Sequence, residues 1–151
     1  MVANRSQRKE DEVSVMRFFD TNILVYAVDP RDRRKQNIAC ELLSHALDVN
    51  HDGAISVQVI SEFANILRNK LHQSEERIEE YLSFFYPLLG TEVTVDMVRS
   101  ALYIEKEYGI QYYDSLIVAA AERLGCHEII SEDLNDGQLY RGMLSINPFK
   151  Q

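Results

Sequence analysis

The sequence predicts an α/β fold, a three-layer α/β/α sandwich around a mainly parallel central sheet, on three observations. Short strand-like stretches rich in β-branched and aromatic residues alternate with longer helical stretches, the pattern of parallel strands joined by crossover helices. Right-handed crossovers then cover both faces of the sheet. Four carboxylates, Asp20, Glu62, Asp114 and Asp133, fall just after strands or at helix starts. Parallel pairing gathers such positions on one edge of the sheet, where folds of this class place their ligands.

The elements follow in order. Arg17 to Phe19 is a short strand leading into a turn of helix from Asn22 to Ala27, stopped near Asp29-Pro30. Arg33 to Val49 is a helix, with Ile38, Leu42, Leu43, Ala46 and Leu47 at helical spacing. Asn50 to Gly53 breaks it, and Gly53 to Val57 is the second strand. Ser56 caps the next helix, which runs to about Leu71. Ser74 opens another, with Glu75 and Glu76 in its first turn where they complement the helix dipole, ending at Gly90. The β-branched run Thr91 to Val95 is a third strand. Asp96 caps a helix that ends at Gly109, and Tyr112 to Leu124 is the last helix. A strand from Glu128 to Ser131, a polar loop from Glu132 to Gly137 and a strand from Met143 to Ile146 complete the domain.

The chain has 151 residues, enough for one domain with a substantial core. Residues 1–15 are basic, then acidic, and carry no apolar stretch. They read as a disordered extension rather than an export signal, leaving the start open between Met1 and Met16. The folded domain is then 16–151. No apolar run approaches the roughly 20 residues that span a bilayer. Cys40 and Cys126 lack CxxC spacing, so both are expected to be reduced core thiols in a cytoplasmic protein. A net charge of −8 argues against a sequence-reading DNA binder, whose affinity rests on basic contacts to phosphate. A nuclease escapes that objection, because its acids are concentrated in one metal-filled pocket. Two basic clusters, Arg31-Arg33-Arg34-Lys35 and Arg68-Lys70, could meet an RNA backbone; their plainer reading is solvated helix surface.

Asp20-Thr21-Asn22 places an acid where a buried strand turns into a helix, although Asp, Thr and Asn are also ordinary N-caps. Glu62 borders the apolar arc of Val59, Ile60, Phe63, Ile66 and Leu67, from which a long side chain reaches over the sheet edge. Asp114 opens a helix apolar on all sides, so it is either a cap or a ligand. Asp133 lies two residues past a strand end, with Asp136 as the reserve in the same loop. Gathered carboxylates repel unless a cation sits between them, which points to a hard metal ion. The four histidines show no ligand spacing for zinc. There is no phosphate-binding glycine loop and no serine nucleophile elbow.

The series Asp20 to Ala27, Ser56 to Glu62, Tyr113 to Ala121 and Ser131 to Leu134 resembles the PIN domain, and within it the VapC-like ribonuclease toxins of bacterial toxin–antitoxin pairs. The likeness covers roughly Met16 to Phe149. It implies a PIN-like metal-dependent endoribonuclease with Asp20, Glu62, Asp114 and Asp133 as the acidic quartet. Asp20 and Asp114 match the most direct metal ligands, with Asn22 and Ser131 in support. It further implies one or two Mg²⁺ or Mn²⁺ ions, an RNA substrate, a small antitoxin partner and a homodimer. Two other readings fail on particular residues. A receiver domain needs a second acid beside Asp20, and an aspartyl phosphatase needs one where Asn22 stands. A PIN-like module that binds without cleaving is disfavoured by the presence of all four acids.

Overall fold

A computed structural model describes residues 15–150; all but the last residue of the extension expected over 1–15 lies outside the described residues. Six strands form one sheet: β1 (Arg17–Phe19), β2 (Gly53–Ser56), β3 (Leu89–Thr91), β4 (Glu128–Ile130), β5 (Leu139–Tyr140) and β6 (Met143–Ile146). Their order is β3-β2-β1-β4-β6-β5. All pairs are parallel except β5 with β6. The helices are α1 (Thr21–Val28), α2 (Arg33–Ser44), α3 (Val57–Asn69), α4 (Glu75–Phe85), α5 (Val95–Tyr108) and α6 (Tyr112–Arg123).

The strand order explains the layers. From β1 through β2 to β3 the chain moves outward in one direction, then returns to pair β4 with the other side of β1. Right-handed connections therefore put α1 to α4 on one face and α5 with α6 on the other. The packing agrees: α1 meets α2 and α3, α3 meets α4, and α5 meets α6. The reversal lies between β1 and β4, so the carboxyl ends of those two strands flank the crevice where such sheets bind ligands. Register fixes the site to that edge, because Phe19 pairs with Ile130 and the next residues are Asp20 and Ser131.

The core sits on both faces of β1. Phe18 and Phe19 are completely buried, as are Ile55 and Ile129 on the neighbouring strands. On one side Phe63 packs edge-on against Phe85, with ring centroids 5.5 Å apart. On the other, Ser115 to Ala121 are all buried, as an all-apolar helix start requires. No described helix is long and apolar enough to cross a membrane.

Several boundaries differ from expectation. The helix expected over Arg33 to Val49 is α-helical only to Ser44, and His45–Asn50 continue as a π-helical turn. That wider turn lays Ala46 against the start of β2, where a Cβ built at Gly53 comes within 2.7 Å of the Ala46 Cβ. The helix expected to end at Gly90 stops at Phe85, because Pro87 permits only a 3₁₀ turn over Tyr86–Leu88. The third strand is Leu89–Thr91 rather than Thr91 to Val95. Thr94, not Asp96, caps the following helix: its hydroxyl accepts from the Met97 amide, and this local bond outweighs the strand preference of a β-branched run. The two-residue β5 is too short for any periodicity to announce. Cys126 is buried as expected, but Cys40 is exposed: it lines the open groove between α1, α2 and α4, where its thiol donates to the Ala27 carbonyl at 3.3 Å.

Gly53 is held small by packing. An added Cβ meets Ala46 Cβ at 2.7 Å and Phe19 Cε2 at 2.8 Å, both rigidly placed. At Gly90 the close neighbours are the terminal carbons of Leu124, which can rotate away. Gly53→Ala should therefore destabilise the fold by roughly 1–3 kcal/mol and Gly90→Ala by clearly less. Thermal melts of the two variants check this; equal melting temperatures would contradict it.

Candidate metal centre at the sheet's carboxyl edge

Asp20 leaves β1 in extended backbone and caps α1. Its Oδ1 accepts from the Thr21 amide at 2.7 Å and its Oδ2 from the Ser131 hydroxyl at 2.7 Å. The residue is only 4% exposed. Burial pushes its carboxyl pKa up to about 7, against the opposing pull of those two hydrogen bonds and with a further push from Asp133 and Asp114. Capping and a site role coexist here, because the two oxygens are aimed differently.

Asp114 is no cap. Gln111 takes the N-cap position of α6, and Asp114 lies in the first turn. Its pKa is raised by burial first, then by Asp133 and Glu62, with no hydrogen bond to offset them. Among the described residues no hydrogen-bond donor meets this half-buried carboxylate, so its oxygens are available to a ligand. Asp133 sits on the loop after β4. Its Oδ2 accepts from Asn22 Nδ2 at 2.9 Å, and its amide donates to Ser131 Oγ at 3.1 Å. Ser131, fully buried, thus ties Asp20 and Asp133 together through one hydroxyl. Burial raises the Asp133 pKa, with repulsion from Glu132 and Glu62 added.

Asp20, Asp114 and Asp133 each place a carboxylate oxygen within 4.8 Å of the others. Two oxygens on opposite sides of a Mg²⁺ ion are about 4.2 Å apart, twice the Mg–O bond length, so the three acids fit a small hard cation after minor closure or through one bound water. Glu62 stands behind this trio rather than within it. Thr21 Oγ1 donates to its Oε2 at 2.7 Å and Gln58 Nε2 to its Oε1 at 2.8 Å. It is near enough for its charge to raise the pKa of both Asp114 and Asp133. Asp136 is not brought to the cluster: its Oδ1 accepts from the Asn147 amide at 2.9 Å, closing the loop against the chain's end.

Sequence reasoning missed Thr21 and Gln58, which fix Glu62. Gln58 at i−4 from Glu62 was the available signal, since that spacing brings two side chains together on a helix. It also missed a brace behind Asp133. Tyr26 Oη donates to Glu132 Oε1 at 2.5 Å, and Lys35 Nζ to Glu132 Oε2 at 2.6 Å. This joins α1 and α2 to the loop that carries Asp133. The basic cluster on α2 is largely spent on the fold: Arg31 pairs with Asp29, Arg34 donates to the Phe149 carbonyl, and Lys35 holds Glu132.

Comparison with known proteins agrees with this geometry. The family model described as PIN domain matches residues 17–139. No curated protein matches. Among solved structures, a toxin–antitoxin complex from Klebsiella pneumoniae superposes with a TM-score of 0.61 at 23% identity, over 87% of this chain and 96% of that one. FitAcB from Neisseria gonorrhoeae gives 0.63 at 16% identity, over 90% and 100%. VapC20 of Mycobacterium tuberculosis, described as a sarcin-ricin loop cleaving toxin, gives 0.58 at 17% identity, over 75% and 86%. At these identities the structural likeness speaks for the fold alone.

The raised pKa values set a pH dependence for the metal-free protein. A carboxyl whose pKa is higher folded than unfolded binds its proton more tightly in the fold, so its contribution is complete below about pH 4 and is lost as pH rises through about 7. Asp20 costs at most about 1.4 kcal/mol per pH unit inside that window, and Asp114 and Asp133 act in the same direction. In chelator, the melting temperature should fall from pH 5 to pH 7.5, and Asp20→Asn should flatten the slope. A chelated protein whose melting ignores pH over that range would contradict the assignment.

Proposed function

The chain belongs to the PIN domain family, and on that premise we propose that it is a metal-dependent endoribonuclease, the toxin of a toxin–antitoxin pair. One observation carries the reading: three carboxylates from three separate elements meet within 4.8 Å at the sheet's topological switch point. No structural demand of the fold explains that meeting, since Asp114 caps nothing and like charges repel.

Asp20, Asp114 and Asp133 would hold one or two Mg²⁺ or Mn²⁺ ions, with Glu62 as the fourth acid. A divalent ion bound there supplies a Lewis acid for the scissile phosphate and a water of lowered pKa. Carboxylate and water ligands suit these hard ions better than zinc. The chain's own residues do the positioning. Ser131 and the Thr21 amide orient Asp20, and Asn22 restrains the exposed Asp133. Thr21 and Gln58 keep both Glu62 oxygens in place, where Glu62 can accept a proton from an attacking water.

Exposed apolar side chains support protein partners, here a small antitoxin and a second copy of the chain. Phe84 borders a groove of about 380 Å³ floored by Leu43 and Phe85, and Leu102 and Tyr103 stand out from α5. The likeness to solved toxin–antitoxin structures favours the same partners, and the toxin reading carries with it a cytoplasmic site of action.

Cleavage of a mixed RNA pool should require Mg²⁺ or Mn²⁺ and stop in excess EDTA. Asp20→Asn and Asp114→Asn should each lower the rate by at least about 100-fold, with far-UV circular dichroism unchanged. Expression of the chain alone should arrest growth, relieved by the neighbouring reading frame. Undiminished cleavage in both variants, or in EDTA, would overturn the mechanism; soluble active nuclease without toxicity would overturn the toxin role.

A further inference from the structure

A second cavity, of about 630 Å³, opens beside the acid cluster and shares Glu62 with it. Val57, Val93 and Leu116 give it apolar walls, Ser61 and Asn65 give it polar edges, and Tyr113 stands at its side. We propose that this cavity is a nucleobase subsite, receiving a base next to the scissile phosphate with its face against the Tyr113 ring. The proposal rests on the nuclease reading above and names the part of the substrate that the same site takes.

Three features support a base over other occupants. The volume falls within the roughly 300–1,000 Å³ of small-molecule sites. No lysine or arginine lines the cavity, so it suits the neutral part of a nucleotide rather than a phosphate. Its lining combines Val57, Val93, Leu116 and the aromatic Tyr113 with the polar Ser61 and Asn65, the mixture that suits an unpaired base stacked on a ring and read along its rim.

The geometry holds Tyr113 in the right place for this. Tyr113 is 65% exposed although it lies in the first turn of a buried helix, so its side chain is accessible to a ligand in the cavity. Tyr112 braces it from one side, with ring centroids 5.3 Å apart at 72°. Gln58 Nε2 donates both to the Tyr113 carbonyl, at 3.1 Å, and to Glu62, at 2.8 Å. One amide thus fixes the aromatic shelf relative to the acids. Along α3, Gln58, Ser61, Glu62 and Asn65 share one stripe at three- and four-residue spacing. Asn65 Oδ1 accepts from Asn69, which leaves Asn65 Nδ2 as the donor offered to a base edge. The base preference next to the cut is therefore set by Tyr113 and Asn65, outside the catalytic acids.

The test combines cleavage with a binding readout that needs no turnover. For single-stranded RNA, Tyr113→Ala should raise KM by about 5- to 150-fold with kcat changed less than about threefold, while Tyr113→Phe keeps the ring and stays near wild type. Asn65→Ala should alter which base flanks the cut in a random pool. In the Asp114→Asn background, an oligoribonucleotide carrying 2-aminopurine should lose fluorescence on binding, and adding Tyr113→Ala should abolish that quenching. If wild type cleaves nothing but the quenching still depends on Tyr113, the base site stands and the nuclease reading falls. Unchanged KM and unchanged quenching in Tyr113→Ala would overturn the subsite. So would a change of oligomeric state by light scattering in that variant, which would make the cavity a contact between copies.

Discussion

Confinement of like charge is the constraint on which the rest of this structure turns. Asp20 is buried under the end of β1 while Asp114 and Asp133 approach it within 4.8 Å, and Glu62 adds its charge from behind. Burial and mutual repulsion both raise the carboxyl pKa values, so the metal-free fold carries an electrostatic cost. The surrounding polar groups make that cost tolerable. Ser131 and the Thr21 amide stabilise Asp20, Asn22 holds Asp133, and Thr21 with Gln58 holds Glu62. Among the described residues, Asp114 alone of the four acids has no hydrogen-bond donor. Under the proposed reading, a divalent cation bound among these acids would relieve that cost.

The scaffold makes this arrangement rigid. The three central acids come from a strand end, a helix start and a loop, brought together only by the sheet order and its parallel register. β1 is buried on both faces, so Asp20 cannot move without disturbing Phe18 and Phe19. The loop bearing Asp133 is more exposed, and there the fold adds a brace: Glu132 is gripped by Tyr26 and Lys35, which also stacks over the Tyr26 and Phe149 rings. The lysine serves the loop, as Arg31 serves Asp29 and Arg34 the Phe149 carbonyl, so most of this basic cluster is engaged within the fold.

Much of this was legible in the sequence, because the signals were local. A strand followed by Asp-Thr-Asn and an all-apolar helix after Asp114 follow from short-range rules, whereas the supporting role of Ser131 came from the family resemblance. What escaped was decided by contacts distant in the chain or by competing local bonds. The π turn at His45–Asn50 answers to the packing of Ala46 under Gly53, which no helical periodicity encodes. Thr94 became a cap where its β-branched neighbours spelled a strand. Cys40 is exposed because it borders an open groove between α1, α2 and α4, which no helical spacing announces. Glu132 was read as one acid in a polar loop, since nothing in sequence places Tyr26 and Lys35 against it. Asp136 had the right residue type in the right loop, but its carboxylate turns to the Asn147 amide.

The central claim, that these acids form one cation site and are not separate helix caps, is tested most directly by melting wild type and Asp114→Asn with and without Mn²⁺. An ion that binds only the folded chain stabilises it by roughly 2.7 kcal/mol at a hundred times its dissociation constant, about 5–10 °C at this size. Wild type should show that rise. Asp114→Asn should melt at or above the wild-type temperature in chelator, because repulsion is relieved, and should respond weakly to Mn²⁺. A variant that is destabilised equally in both conditions, beside a wild type indifferent to the ion, would contradict the claim.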